Sequence, residues 1–209
     1  LEAYQNDKNT DFHTIMAEIA NIPRKSAKTI NLGLFYGMGV GKLSDQMGID
    51  PAEAKALINQ YNERVPFVRQ LADKVSDHAQ RKGRVRTILG RQCRFDLWEP
   101  KSFGAHKAYP YEKAIEEYGS NIGLKRAGTY KSLNRLIQGS AADQIKKAMV
   151  ELHKEGIIPM IQIHDELAIS VDGSKEQQDK IIEVMENCLE MEIPSKVDVA
   201  VAKNWGEAQ

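Results

Sequence analysis

Residues 160–171 read MIQIHDELAISV. Two runs rich in apolar and β-branched residues flank His164–Asp165, and this predicts a strand, a tight turn and a second strand. Upstream of the pair, residues 125–154 carry a helical pattern, with polar groups recurring at Lys131, Asn134 and Gln138. Downstream, residues 174–192 pattern as an amphipathic helix, and VDVAVA at 197–202 reads as a last strand. The N-terminal half is helical in pattern. DFHTIMAEIA (11–20) predicts a short helix, with Asn21 and Pro23 as a cap and a first-turn proline before the next helix, RKSAKTINLGLFYG (24–37). MGVGK is a glycine-rich break before a short helix, KLSDQMG. Asp50–Pro51 opens a longer helix running to about residue 81, which Pro66 kinks or splits. In VRTILGRQCRF (85–95), β-branched residues precede Leu89–Gly90 in a basic stretch that predicts a second hairpin. Residues 96–123, rich in aromatics, Gly and Pro, take no assignment from pattern. The sum is an α+β fold: a helical first part, then a small antiparallel sheet with helices.

The 209 residues suffice for one or two domains with a buried core. Twenty-nine Lys and Arg balance 29 Asp and Glu, so net charge points to no partner. Their distribution says more: residues 81–94 hold six basic side chains and no acid, while 165–193 hold nine acids and two Lys. Such patches suit a protein that handles polyanions and metal cations; solvated faces of unrelated elements would look the same. Cys93 and Cys188 lie far apart, with no CxxC or Cys/His spacing, so neither a zinc site nor a disulfide framework is signalled. That usage fits a reducing compartment. No apolar run reaches the roughly 18–20 residues of a membrane span, and no signal peptide is visible. The chain opens at Leu1 in mid-pattern, as a piece of a longer or split polypeptide would.

Three stretches carry candidate chemistry. In the helix from residue 24, Arg24, Lys28, Asn31 and Leu32 share one stripe at 100° per residue. An Arg fork and a Lys point charge one turn apart suit a triphosphate; taken alone they also suit an ordinary solvated face. In HDE (164–166), a carboxylate at a rigid turn suits Mg²⁺, which takes one or two carboxylates plus substrate phosphates. Alternation along the strand makes one of Asp165 and Glu166 a direct ligand and the other peripheral; a polar turn between apolar strands is the plainer alternative. In QGSAAD (138–143), with Asn134 one turn earlier, uncharged amides on one helix face suit base edges and sugars; plain helix packing would also explain them.

Taken together, the stretches resemble family A DNA polymerases. R24-x3-K28-x2-N31-x-G33-x2-Y36-G37 is similar to the family's fingers-helix motif, QGSAAD to its QGTAAD helix with Ser140 for Thr, QIHDE at 162–166 to its QVHDE hairpin, and DFHT at 11–14 to its DIHT. The order is the family's, and the motifs span nearly the whole chain. The resemblance implies an incomplete right-hand polymerase: fingers over 1–124, with a hairpin near 84–95 and an insertion over 96–123, then part of a palm over 125–209. It implies that Arg24, Lys28 and His13 hold the phosphates of an incoming dNTP, with Lys28 as proton donor to pyrophosphate, and that Tyr36 sits by the insertion site. Asn134 and Gln138 would touch primer–template DNA near the new pair, and His164 the primer end. Asp165 would coordinate the metals, two Mg²⁺ ions in the complete enzyme, with Glu166 supporting. Arg84, Arg86, Arg91 and Arg94 would meet DNA phosphates.

Three departures qualify that resemblance. The family's other metal-binding Asp lies in a pattern, DYSQIELR, that these 209 residues do not contain. The expected partners therefore include an upstream polymerase segment, on the same or a separate chain, and the 209 residues alone are expected to be inactive. An incomplete palm sheet would also leave an open edge prone to self-association. Leu32 stands where the family usually has Phe or Tyr, as in some viral members, a position associated with discrimination at the sugar 3′-position. Tyr130 stands where a basic residue is expected, with Lys131 or Arg126 as substitutes. The expected setting is the cytoplasm of a bacterium or phage-infected cell, with no membrane. Two alternatives stay open: a single-subunit RNA polymerase, whose hairpin typically reads HDS, and a catalytically silent DNA-binding fragment.

Overall fold

A computed structural model describes residues 2–7, 9–35, 38–102 and 104–208. In chain order the elements are α1 (Glu2–Asn6), α2 (Phe12–Ala20), α3 (Arg24–Phe35), α4 (Val40–Met47), α5 (Pro51–Arg64), α6 (Pro66–Lys82), β1 (Arg84–Arg86), β2 (Gln92–Arg94), β3 (Leu97–Pro100), β4 (Tyr109–Pro110), α7 (Tyr111–Tyr118), β5 (Leu124–Arg126), α8 (Ser132–Lys154), β6 (Pro159–Ile163), β7 (Glu166–Ile169) and α9 (Lys175–Asn187). The fold is α+β. It divides within α8 into two compact units, Asp11–Gly139 and Leu1–Thr10 with Ser140–Gln209.

In the first unit, local chemistry sets the helix ends. Asp11 caps α2, its carboxylate accepting the His13 N–H at 3.1 Å. Asp50 caps α5 through the Ala52 N–H at 2.7 Å, with Pro51 in the first turn. Asn21, expected to cap the helix after it, instead ends α2. Its backbone is left-handed (φ 52°) and its N–H reaches the carbonyls of Ala17 and Glu18, a conformation that Asn's short polar side chain tolerates. α4 starts inside the expected glycine-rich break, with Gly39 as its cap. Pro66 splits the long helix at Val65 and opens α6. The helices α2 to α6 close around Met16, Ala17, Ala20, Ile22, Ala27, Ile30, Leu43, Ala54, Tyr61, Val65 and Val68.

The basic stretch forms the expected hairpin, with Arg84 opposite Arg94, Val85 opposite Cys93 and Arg86 opposite Gln92. Val85 turns inward onto Ala79 and Phe95, a small second core against α6. Residues 96–126, mostly without assignment from sequence, build a three-stranded antiparallel sheet in the order β4-β3-β5, with α7 against it. Trp98 meets Tyr111 edge-on, centroids 4.9 Å apart. Arg126 anchors this module. Its guanidinium stacks on Trp98 at 4.5 Å and donates to the carbonyls of Phe95 (2.8 Å) and Gln80 (3.2 Å). The Gln80 side chain returns two bonds to the Arg126 backbone, at 2.9 and 2.8 Å. Gly83 lets the guanidinium approach: its φ is +67°, and a Cβ there would lie 2.7 Å from Arg126 Cζ.

In the second unit, β6 and β7 pair antiparallel with Ile163 opposite Glu166, so His164–Asp165 is a two-residue turn, as expected. Leu152, Ile157 and Ile181 form its core, with Leu167, Ile169, Val171, Val184 and Met185 packed around them. Residues 197–202 are not a strand. A strand exists only by pairing, and no described strand pairs with this segment; Val199 and Val201 stand exposed. No helix among the described residues is long and apolar enough to cross a membrane.

Gly139 shows why QGSAAD carries a glycine. The hairpin turn packs against α8 there, and a Cβ on Gly139 would lie 2.6 Å from the Thr87 methyl. The Thr87 hydroxyl accepts the Arg91 N–H at 3.1 Å, which holds the methyl in place. Gly139→Ala would gain at most about 1 kcal/mol of helix propensity, against about 1–3 kcal/mol for overpacking. We expect it to lower the urea midpoint. In a Thr87→Ser background, which keeps the hydroxyl and deletes the methyl, the same change should raise it.

Candidate functional site

α2 and α3 place a cationic cluster at the N-terminal end of α3. Arg24, Lys28 and Leu32 are exposed, one turn apart, on one face. Asn31, grouped with them by helical spacing, is fully buried instead, turned toward α2 and α5. Arg24 does not stand alone. Its Nε donates to Asp11 Oδ2 at 2.7 Å and lies 3.2 Å from the Thr14 hydroxyl, which itself donates to Asp11 Oδ2 at 2.6 Å. The Thr14 and Arg24 hydrogen bonds hold the Asp11 carboxyl well below the usual carboxylate range. Because Asp11 takes Nε, the two terminal nitrogens of Arg24 stay available for a planar anion. Lys28 has no ion-pair partner among the described residues.

His13 completes the cluster. Its Nδ1 lies 3.0 Å from Asn31 Nδ2, and the Tyr61 hydroxyl donates to Asn31 Oδ1. Burial lowers the His13 pKa, and Lys28 and Arg24 push it further down against the pull of Asp11. The cluster thus offers two cations and one imidazole to a polyanion. Asp11, Thr14 and Tyr61 received no role from the sequence. The one signal for Asp11 was its place just ahead of an apolar helix, an N-cap position; nothing local marked Tyr61. Tyr36, expected beside these groups, lies outside the described residues.

On the hairpin, Arg84, Arg86 and Arg94 project to solvent on the face opposite Val85. Arg91 differs: it donates to the Gly139 carbonyl at 2.7 Å, joining the hairpin to α8. Asn134, half-buried, and Gln138, exposed, sit one turn apart on α8 within the same unit. Arg126, offered as a substitute for a basic residue at 130, is occupied in anchoring Trp98 and α6, whereas Lys131 is exposed.

The β6–β7 turn gives two neighbouring acids different surroundings. His164 holds φ +53°, and Asp165 follows it, exposed, with no ion-pair or hydrogen-bond partner among the described residues. Glu166, the first residue of β7, accepts the Trp205 indole N–H at 3.1 Å, a contact the sequence did not signal. No described group of three His, Cys, Asp or Glu side chains could hold a metal by itself. A single accessible carboxylate does fit a hard cation that completes its shell with substrate phosphates and a further carboxylate.

The comparisons with known proteins agree with one another. A sequence profile for DNA polymerase family A matches residues 1–207. The DNA-directed DNA polymerase of Pseudomonas phage M6 is 34% identical over 241 residues, spanning 99% of this chain and 33% of the phage protein. DNA polymerase I of Bacillus subtilis is 31% identical over 225 residues, spanning 100% of this chain and 23% of that protein. The POL domain of Pol1 from M. smegmatis, solved with DNA primer-template and dNTP, superposes with a TM-score of 0.76 at 28% identity, over 99% of this chain and 36% of the other. The chain therefore spans about a third or less of the length of these curated relatives. Matched by one family along almost every residue, the chain belongs to DNA polymerase family A.

Proposed function

We propose that these 209 residues form the nucleotide-binding side, and one part of the metal-binding side, of a template-directed DNA polymerase. The observation that carries this reading is the α2–α3 cluster, in which a carboxylate orients an arginine fork beside a free lysine and a histidine. In this reading α2 and α3 belong to the fingers and β6–β7 to the palm. The functional boundary expected near residue 124 lies ahead of α8, within which the compact units divide. Arg24 grips the triphosphate through its terminal nitrogens, and His13 donates to a phosphate oxygen. The Lys28 ammonium neutralises charge on the leaving pyrophosphate and gives it a proton, while the primer 3′-hydroxyl releases its own proton to solvent, its oxygen bonds to the α-phosphorus and the bridging P–O bond breaks. Asp165 would hold Mg²⁺ with Glu166 in support, and the bound ions would supply charge neutralisation for the attacking and leaving oxygens. Asn134, Gln138 and His164 meet primer–template DNA, and Arg84, Arg86 and Arg94 its phosphates. Arg91 serves there less directly, through the Gly139 contact. Leu32, exposed beside Lys28, presents an aliphatic surface to the incoming sugar.

The DYSQIELR type of stretch is not among these residues, and Met160, Ile161 and Ile163 of β6 are exposed. Both fit a palm whose remaining strand and carboxylate come from elsewhere in the protein. We expect the pure 209-residue chain not to extend a primer. Extension should appear when the upstream polymerase segment is supplied in cis or trans, and Asp165→Ala should abolish it. Lys28→Ala should lower the restored rate about 10²–10⁴-fold, and a loss under about twofold would remove its role as proton donor. Preference for dNTP over rNTP in the restored enzyme separates this reading from an RNA polymerase.

The Asp11 carboxyl gives a pH signature. Its folded-state pKa is depressed, so its contribution to stability is complete above the unfolded value of about 3.9 and fades as pH falls below it. Asp11→Asn should therefore flatten the acid limb of a stability–pH profile measured by urea unfolding. Because Arg24 loses its orienting partner, the same variant should raise KM for dNTP in the restored enzyme.

A further inference from the structure

Tyr61 is completely buried, and its hydroxyl proton has one acceptor among the described residues, Asn31 Oδ1. Burial pushes its pKa up to about 12, so the phenol keeps that proton at any working pH. The direction of the chain follows from donor accounting. A buried O–H must donate, so Asn31 has to present its oxygen to Tyr61 and its NH₂ to His13. Reversing the carboxamide would leave the phenolic proton with no acceptor. An NH₂ group only donates, so the His13 Nδ1 it meets at 3.0 Å has to be a bare acceptor. A neutral imidazole with a bare Nδ1 carries its proton on Nε2.

We infer that Tyr61 and Asn31 are positioning residues that hold His13 as the neutral Nε2–H tautomer, a fixed donor for an anionic oxygen. The device links three helices: α5 supplies the phenol, α3 the carboxamide and α2 the imidazole. It also divides labour in the cluster. Arg24 and Lys28 supply positive charge, while His13 supplies a directed N–H whose ring cannot gain a proton on Nδ1 without breaking the Asn31 bond. Among the described residues, the charged groups facing His13 are Asp11, the cap of its helix, and Arg24 and Lys28 on α3; from α5 the link to it runs through neutral Tyr61 and Asn31. The tautomer stands on this geometry alone, and only its use toward a nucleotide phosphate rests on the proposed function.

The test is the ¹⁵N spectrum of the histidine rings in the 209-residue chain, with His13 assigned by its disappearance in His13→Gln. The expected result at neutral pH is an unprotonated Nδ1 and a protonated Nε2. Tyr61→Phe should release the constraint and give a tautomer mixture. Asn31→Asp presents a carboxylate to the ring and should raise the His13 titration midpoint by about one pH unit or more; it also stands in if Tyr61→Phe fails to fold. A protonated Nδ1 in the unsubstituted chain overturns the inference. So does an unchanged tautomer in folded Tyr61→Phe, or an unmoved midpoint in Asn31→Asp. A second arm uses the polymerase restored by its upstream segment, where Tyr61→Phe should raise KM for dNTP about fivefold, the scale of one hydrogen bond, and change kcat less. If the spectra hold but KM is unmoved, the tautomer stands and the phosphate role of His13 falls.

Discussion

A carboxamide with no access to water governs the helical unit. Asn31 lies on α3 with its side chain fully buried, and leaving either end unpaired would cost about 1–3 kcal/mol. Its partners come from elements on either side, Tyr61 from α5 and His13 from α2. Only one rotation of α3 about its own axis satisfies both. That rotation sends Ala27 and Ile30 into the core and leaves Arg24, Lys28 and Leu32 outside. The exposed cationic face thus follows from what the opposite face has to bury, and α3 needs no acidic neighbour of its own to orient it.

Where structure is set by near neighbours, the sequence was mostly legible, although Asn21, read as a cap for α3, ends α2 instead. Asp50–Pro51 opens α5, Pro66 ends it where its ring would clash, and the two turns at 87–91 and 164–165 close hairpins of a few residues. Where a partner lies far along the chain, it was not. The module at 96–126 is joined to α6 by Arg126, Gln80 and Trp98, a set of contacts that no local pattern announces. Val197–Ala202 alternates like a strand, yet alternation without a neighbouring ladder makes only an extended segment. The site divides the same way. Arg24 and Lys28 were visible as a spacing, whereas the Asp11 that orients Arg24 stands thirteen residues away in sequence, and Asn31 was placed on the wrong face because its buried partners were unknown.

The basic hairpin shows how unlike four arginines can be. Strand pairing sets Arg84 directly opposite Arg94, and like charges opposed across a ladder are destabilising. Arg86 extends the same face, with Gln92 as its neutral neighbour. Arg91 points elsewhere and fastens the turn to the Gly139 carbonyl, beside the one position in α8 where a methyl group would collide with Thr87. A count of basic residues treats these side chains as equivalent, but the pairing register separates three that face solvent from one that secures the hairpin's seat.

A related separation operates at the β6–β7 turn. Asn21 and His164 are the described non-glycine residues with positive φ. For Asn21 the conformation is a routine helix stop. For His164, a bulky ring, the left-handed backbone costs about 1–2 kcal/mol, and it sits at the first position of a two-residue turn between strands that pair on both sides. The tight turn puts Asp165 outside the alternation that governs β7, so Asp165 and Glu166 need not simply point to opposite faces of the sheet. Glu166 accepts the Trp205 indole from the C-terminal turn, which Asn204 closes by capping the Glu207 N–H. One carboxylate is thereby tied down and its neighbour left clear. The left-handed backbone at His164 is the local cost of closing the hairpin in two residues, and the closure leaves Asp165 exposed at the turn instead of within the strand.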